Sequence, residues 1–325
     1  MKNKHHIVVE TQRLKYEFDI KRNITVIQGD SATGKTTLVE LLGTYSRFGK
    51  ESGISLQSDV PCVVFGGDAG IWKTILEAYQ DSIIFIDEDY SFIYSKDFAE
   101  LIQTSSNYYV LITRQPLYNL PYSIQEIYGI RTTGKYHYPE KIYHEFYQIY
   151  GNLKITANKD VLVMVEDSKS GYQFFSKACK QCECVSVEGN SQFVGRIENA
   201  DEKKKVVVIA DGAAFGAYVA KVTTIAKGRK DVMLYFPESF EWLILKSGII
   251  GIKDLDAILA EPEKYIESRE FFSWERYFTD LLMTATADNS IKKYDKSQLK
   301  PYYIEGKNKD AIIAVLPEEL RKIIR

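Results

Sequence analysis

Apolar positions along the chain fall into short dense runs separated by stretches with helical spacing. IVVE (7–10) and LKYEFDI (14–20) predict strands, the second with partial alternation, and together an antiparallel flank to a main sheet. ITVIQ, from Ile24, is a short β-branched run; GDSATGKTT follows as a loop, and then LVELLGTY places Leu38, Leu41 and Leu42 at helical spacing. PCVVFGG (61–67) ends in a glycine pair, and IWKTILEAYQ (71–80) reads as helix. SIIFIDED (82–89) predicts a buried strand ending in acids, FAELIQT a helix, and YYVLITR (108–114) a second buried strand. Between Tyr122 and Tyr150, SIQEIYGI and KIYHEFYQI predict two more strands around Gly134 and Pro139. Apolar strands alternating with helices predict a parallel sheet covered on both faces.

GNLKITANK (151–159) has neither period and predicts a linker, after which the rhythm restarts. VLVMVED (161–167), CVSVE (184–188), VVVIADG (206–212) and VMLYFPE (232–238) predict four strands, with helices near SGYQFFSKACKQ, around FVGRIEN and from Ala213 to Ala226. From Ser239 onward helical segments dominate, including FEWLILKSG, SWERYFTDLLMTAT and PEELRKIIR, where Pro317 suits a first helical turn. The expected domains are 1–150 and 160–325, both α/β, the second with a helical C-terminal part.

A chain of 325 residues, 45% hydrophobic and 26% charged, agrees with two folded domains and excludes a largely disordered protein. The start lacks the apolar run of a signal segment, and no stretch approaches the ~20 apolar residues of a membrane span, so a soluble cytoplasmic protein with no membrane partner is expected. Cys62, Cys179, Cys182 and Cys184 read as thiols of a reducing compartment. Cys179, Cys182 and Cys184 form C-x-x-C-x-C, but His5, His6, His137 and His144 lie far away in sequence, so packing thiols are expected rather than zinc ligands. With 42 basic and 44 acidic residues the net charge is -2, which excludes a nonspecific DNA coat; Lys203, Lys204 and Lys205 read as a solvated loop before a strand.

Gly29, Asp30, Ser31, Ala32, Thr33, Gly34, Lys35 and Thr36 fit G-x-x-x-x-G-K-[ST], followed by Thr37, between a predicted strand and a predicted helix. Glycines let backbone N–H groups curl around phosphate oxygens, and a helix start adds partial positive charge. Residues 29–37 are therefore expected to bind ATP or GTP, with Lys35 on the β and γ phosphates and the Thr36 hydroxyl on Mg²⁺. In IIFIDE (83–88) the apolar residues bury a central strand and Asp87 emerges at its carboxyl end for the Mg²⁺ shell. Glu88 then stands where a base polarises the attacking water. In the second half Glu166 ends the first strand and Asp211 the third, and in a parallel sheet such ends share one rim, where two acids can share a divalent cation.

The first 150 residues resemble the ATP-binding-cassette class of P-loop ATPases, in the strands before ITVIQGDSATGKTT, in IIFIDE, and in LITR, whose Thr113 and Arg114 occupy the region of the family's switch histidine. The sequence has no LSGGQ-like signature and no long helical insertion; Gln57 and Gln80 are the candidates for the family's Q-loop. VLVMVEDSKSGYQFF and VVVIADGAAFG are similar to the TOPRIM domain of topoisomerases, primases and OLD-family nucleases, in which a Glu follows the first strand and Asp-x-Asp the third, binding Mg²⁺ for phosphodiester chemistry. ATPase first and TOPRIM second is also the OLD order. Ala213 replaces the second Asp, leaving Asp167, Glu238 or Glu241 to compensate, and Mn²⁺ as the ion that a depleted site binds better. The resemblance implies an ATPase coupled to a metal-dependent domain that works on DNA or RNA, as a homo-oligomer, with Lys35, Glu88, Glu166 and Asp211 as its catalytic groups. The alternative is a nucleotide switch, in which a catalytically inactive TOPRIM-like fold changes its contact with a protein partner. A small-molecule kinase needs a lid with phosphate-clamping arginines, which the sequence does not show.

Overall fold

The computed structural model describes residues 4–29, 33–133, 141–152, 160–229 and 231–324. The chain is mixed α/β and divides into two compact units, Met1–Ile149 with Glu263–Phe272, and Tyr150–Pro262 with Ser273–Arg325. Residues 263–272, expected in the second domain, belong with the first. Specific polar contacts hold them there: the Arg269 guanidinium lies 2.9 Å from both carboxylate oxygens of Asp81, and the Ser268 carbonyl accepts the Asn23 side-chain N–H at 3.2 Å. At the start of the expected linker, Asn152 Oδ1 accepts the Phe236 N–H at 2.7 Å; residues 153–159 lie outside the described residues, as do Gly134 and Pro139.

The first unit contains β1 (His5–Glu10), β2 (Leu14–Ile20), β3 (Ile24–Ile27), β4 (Ser55–Gln57), β5 (Cys62–Val64), β6 (Ile83–Ile86), β7 (Tyr108–Ile112), β8 (Ile127–Thr132) and β9 (Ile142–Gln148) in one sheet, ordered β4-β1-β2-β9-β8-β3-β7-β6-β5. The stretch β8-β3-β7-β6-β5 is parallel, whereas β1 pairs antiparallel with β2 and β4, and β8 with β9. Every residue of β3, β6 and β7 is buried, as expected of central strands packed on both faces. The helix Lys35–Phe48 seals one face through Leu38 and Leu42, four residues apart and both fully buried. Register matters most for the site: Ile27 pairs with Ile112, and Ile86 with Leu111, so the chain leaves β3, β6 and β7 at one rim.

β8 begins later than SIQEIYGI suggested, because Ile124–Glu126 form a 3₁₀ turn led by Ser123, whose hydroxyl accepts the Gln125 N–H at 3.2 Å. The second unit holds β10 (Val161–Val165), β11 (Glu183–Ser186), β12 (Lys205–Ile209) and β13 (Val232–Tyr235), all parallel, in the order β11-β10-β12-β13. Val165 pairs with Ile209 and Ile209 with Tyr235, so Glu166 and Asp211 also leave the sheet at a common rim. No helix among the described residues is long and apolar enough to cross a membrane.

Candidate functional site

The rim of the first sheet opens into a cavity of about 480 Å³ lined by Thr33, Gly34, Lys35, Thr36, Thr37, Asp87, Glu88, Arg114, Tyr16 and His144 among others. That size falls within the ~300–1,000 Å³ range of small-molecule sites. The strand ends thus bring together the predicted loop residues and both predicted acids; Asp30, Ser31 and Ala32 lie outside the described residues. Gly34 caps the helix Lys35–Phe48 at φ 93°, a left-handed conformation that favours glycine. A Cβ there would stand 2.8 Å from the Tyr16 hydroxyl, which donates to the Gly34 carbonyl at 3.0 Å. Lys35 is only 8% exposed, and its Nζ donates to the Gly29 carbonyl at 2.7 Å and to Thr33 Oγ1 at 3.1 Å, which holds the ammonium inside the loop. Asp87 Oδ1 accepts the Glu88 N–H at 2.7 Å, and Arg114 Nη2 lies 3.3 Å from Glu88 Oε1.

The Tyr16 and His144 rings stack with centroids 4.4 Å apart at the same cavity. Burial pushes the Tyr16 hydroxyl up to about 12 and lowers the His144 pKa, so both rings are uncharged at neutral pH. Sequence reading missed both, since each looks like an ordinary strand residue. Gln57 lies on the edge strand β4, and Gln80 lines a separate hollow of about 610 Å³ with Lys73, Asp97 and Arg269; neither lines the cavity at the loop. Thr113 is buried, its hydroxyl 2.7 Å from that of Tyr94, so of the LITR pair only Arg114 faces the cavity.

In the second unit the Asp211 N–H donates to Glu166 Oε2 at 2.9 Å, which joins the two predicted acids directly. The loop after β12 is clamped by the Gly212 N–H on the Pro237 carbonyl (2.6 Å) and the Ala213 N–H on the Glu238 carbonyl (3.1 Å). A Cβ on Gly212 would lie 2.9 Å from that Pro237 oxygen, so the close approach requires glycine. Two further acids come from helix starts. Ser239 caps the helix Phe240–Lys246 and Ser273 caps Trp274–Thr286, each accepting an N–H of its own first turn, which places Glu241 and Glu275 at equivalent positions.

Among these carboxylates stands Lys296, its Nζ 2.7 Å from Glu275 Oε1 and 3.7 Å from Glu241 Oε1. Burial pushes the Glu166 carboxyl up to about 7, opposed by the Asp211 N–H. Burial also raises Asp211 well above the carboxylate range, reinforced by Glu275, Glu166 and Glu241. For Lys296 burial acts downward, but Glu241, Glu275 and Asp211 outweigh it and hold the ammonium above its ordinary value. Glu241 has no exposed surface; its Oε1 accepts the Tyr294 hydroxyl at 2.6 Å, and Tyr294 is also bonded to Ser170 Oγ at 2.9 Å. Tyr294→Phe removes a bond to a buried carboxylate, worth about 1.5–3 kcal/mol for a charged acceptor, and denaturant unfolding should show a loss on that scale. A loss below about 0.5 kcal/mol would mean that the Tyr294 hydroxyl does not anchor Glu241.

Of the second-unit groups, sequence reading found Glu166 and Asp211, weighed Glu241, and missed Glu275, Tyr294 and Lys296. A signal for Glu275 existed: Ser273-Trp274-Glu275 repeats Ser239-Phe240-Glu241 as Ser-aromatic-Glu ahead of an apolar helix. Lys296 lies in a stretch without periodicity and carried none. Cys179 stands at the end of the helix Ser170–Ala178 and Cys184 on the edge strand β11; all the cysteines are free thiols. No protein-family model, no curated protein and no solved structure matches the chain.

Proposed function

We propose that the first unit is an ABC-like P-loop ATPase and the second a TOPRIM-like domain, together forming an OLD-like protein that uses ATP and a divalent ion to process DNA or RNA. The observation that carries this reading is the joint placement of Lys35, Thr36, Asp87 and Glu88 around one cavity at the carboxyl ends of parallel strands. Residues 29–37 supply N–H groups and the Lys35 ammonium to phosphate oxygens, Thr36 and Asp87 hold Mg²⁺, and Glu88 orients and deprotonates water. Such groups fit a nucleotide because the cavity offers cationic and acidic donors side by side at a helix start. In the second unit Glu166 and Asp211 would hold Mg²⁺ or Mn²⁺, which would supply Lewis-acid stabilisation of the phosphodiester.

A nucleotide switch acting on a protein partner is the second reading, and a specific observation favours it. Ala213 is buried where a further acid is expected, and Lys296 neutralises part of the cluster that a metal would need. One assay separates the two: plasmid and single-stranded substrates are incubated with Mg²⁺ or Mn²⁺, with and without ATP, for wild type, Glu166→Ala and Asp211→Ala. The nuclease reading expects cleavage by wild type, Mn²⁺ ahead of Mg²⁺, and none by either variant. Cleavage surviving in both variants would place the activity elsewhere. A wild type that cuts nothing, while ATP alters its binding to a protein partner, supports the switch.

A further inference from the structure

Three of the four cysteines meet at one place in the second unit. The helix Ser170–Ala178 ends at Cys179, the chain turns through Cys182, and β11 carries Cys184, which pairs with Val163 of β10. Their sulfurs form a one-way chain of hydrogen bonds: Cys182 donates to Cys179, and Cys179 donates to Cys184. All three residues are partly exposed, whereas Cys62 is buried in the first unit with its thiol turned to Ser58 Oγ at 3.4 Å. The bond from Cys182 favours the Cys179 thiolate, but the bond to Cys184 and burial outweigh it and push that thiol up to about 12. The bond to Cys179, and then burial, raise the Cys182 thiol as well. Both are therefore protonated at neutral pH, and Cys184 alone gives no proton to another sulfur of the cluster. A fast redox enzyme sets its attacking thiol at a helix N-terminus; Cys179 stands at a helix C-terminus, where the partial charge is negative.

We propose that Cys179 and Cys184 form a reversible disulfide, a modification site that ties the end of the helix Ser170–Ala178 to the edge strand β11. The oxidant is a low-molecular-weight disulfide such as oxidised glutathione. The Cys184 thiolate attacks one of its sulfurs, expels the first small thiolate and forms a mixed disulfide. Cys179, once its proton has passed to solvent, attacks Cys184 Sγ and expels the second. One small disulfide is thus reduced to two thiols while two protein thiols are oxidised to one S–S bond, and the two protons released end on the two departing thiolates. Reduction runs both steps backwards. Because the second nucleophile is held protonated, closure is slow, and the pair follows the standing ratio of thiol to disulfide rather than a brief oxidising pulse. Reversible pairing of this kind is the form that disulfides take in a reducing compartment. The inference uses neither the nucleotide cavity nor the carboxylate rim, so it is independent of the function proposed above.

The test equilibrates the full native chain with mixtures of reduced and oxidised glutathione, quenches with acid, alkylates the remaining thiols with N-ethylmaleimide and digests with trypsin. Cleavage after Lys177, Lys180 and Arg196 leaves Cys179 on residues 178–180 and both Cys182 and Cys184 on residues 181–196. A bond to Cys179 therefore joins two peptides, whereas a Cys182–Cys184 bond stays inside one. Mass spectrometry of the nonreduced digest should find the two peptides joined, with Cys184 in the bond and Cys182 alkylated, while the intact mass stays that of one chain. Dithiothreitol should separate them again. Wild type carries this readout without any substitution. Cys184→Ser should lower the yield of joined peptides at least ~10-fold at the same glutathione ratio, and Cys182→Ser should leave it within about 2-fold. Peptides that stay separate at every ratio overturn the proposal. So do a bond closed within residues 181–196, joined peptides in which Cys184 is the alkylated residue, and a covalent dimer in place of the single-chain product.

Discussion

Lys35→Ala should weaken the binding of ATP with Mg²⁺ by at least ~100-fold, since each charge-assisted contact between an ammonium and a phosphate is worth about 1.5–3 kcal/mol and the proposed site engages two phosphates. The same side chain also bonds to Gly29 and Thr33 within the loop and is almost fully buried, so the substitution changes the loop as well as the ligand contacts. Two measurements keep the effects apart. Calorimetric titration gives the affinity, and thermal unfolding without nucleotide gives the structural cost, which should be modest because Leu38 and Leu42, not Lys35, anchor the helix Lys35–Phe48 in the core. Lys35→Arg restores charge but not shape, and should recover little, because a planar fork replaces a compact ammonium in the space bounded by Gly29 and Thr33. Equal nucleotide affinity in wild type and Lys35→Ala would remove the loop from the binding site.

The sequence carries the parallel core of both sheets plainly, because strands buried on both faces are predominantly apolar and β3, β6, β7 and β12 are so buried. It carries the convergence of Glu166 and Asp211 for the same reason, since equivalent ends of parallel strands fall on one rim whatever the helices do. β4 was invisible: Ser55, Leu56 and Gln57 form a three-residue edge strand with little burial, and its pairing with β1 depends on a neighbour distant in sequence. Position in the chain alone puts the segment 263–272 in the second domain, whereas its place in the fold depends on Arg269 meeting Asp81 and Ser268 meeting Asn23, contacts that no local period encodes. Lys296 shows the same limit at the site. A lysine in an irregular loop reads as solvated until Tyr294 and Ser170 fix that loop against a carboxylate cluster.

Glu88→Gln should leave nucleotide bound with near wild-type affinity while slowing hydrolysis by at least ~100-fold, the lower scale of general-base effects. A residue that orients water acts in the transition state and adds little to ground-state binding, so the loss appears in turnover and not in the dissociation constant. The substitution is nearly isosteric, and the amide oxygen can still accept from Arg114, which lies 3.3 Å from Glu88 Oε1. The position of the side chain is thus retained while its ability to take a proton is lost. Arg114→Ala is the informative companion. Both partners of this ion pair are partly exposed, so it contributes little to stability, on the order of 1 kcal/mol or less. If Arg114 only orients Glu88, its removal should slow turnover by no more than about 10-fold, well short of the general-base effect itself. Turnover unchanged in Glu88→Gln would move the water-positioning role elsewhere, with exposed Asp89 next along the same loop. A parallel loss of affinity and turnover would instead show that Glu88 serves the bound nucleotide and Mg²⁺ rather than the attacking water.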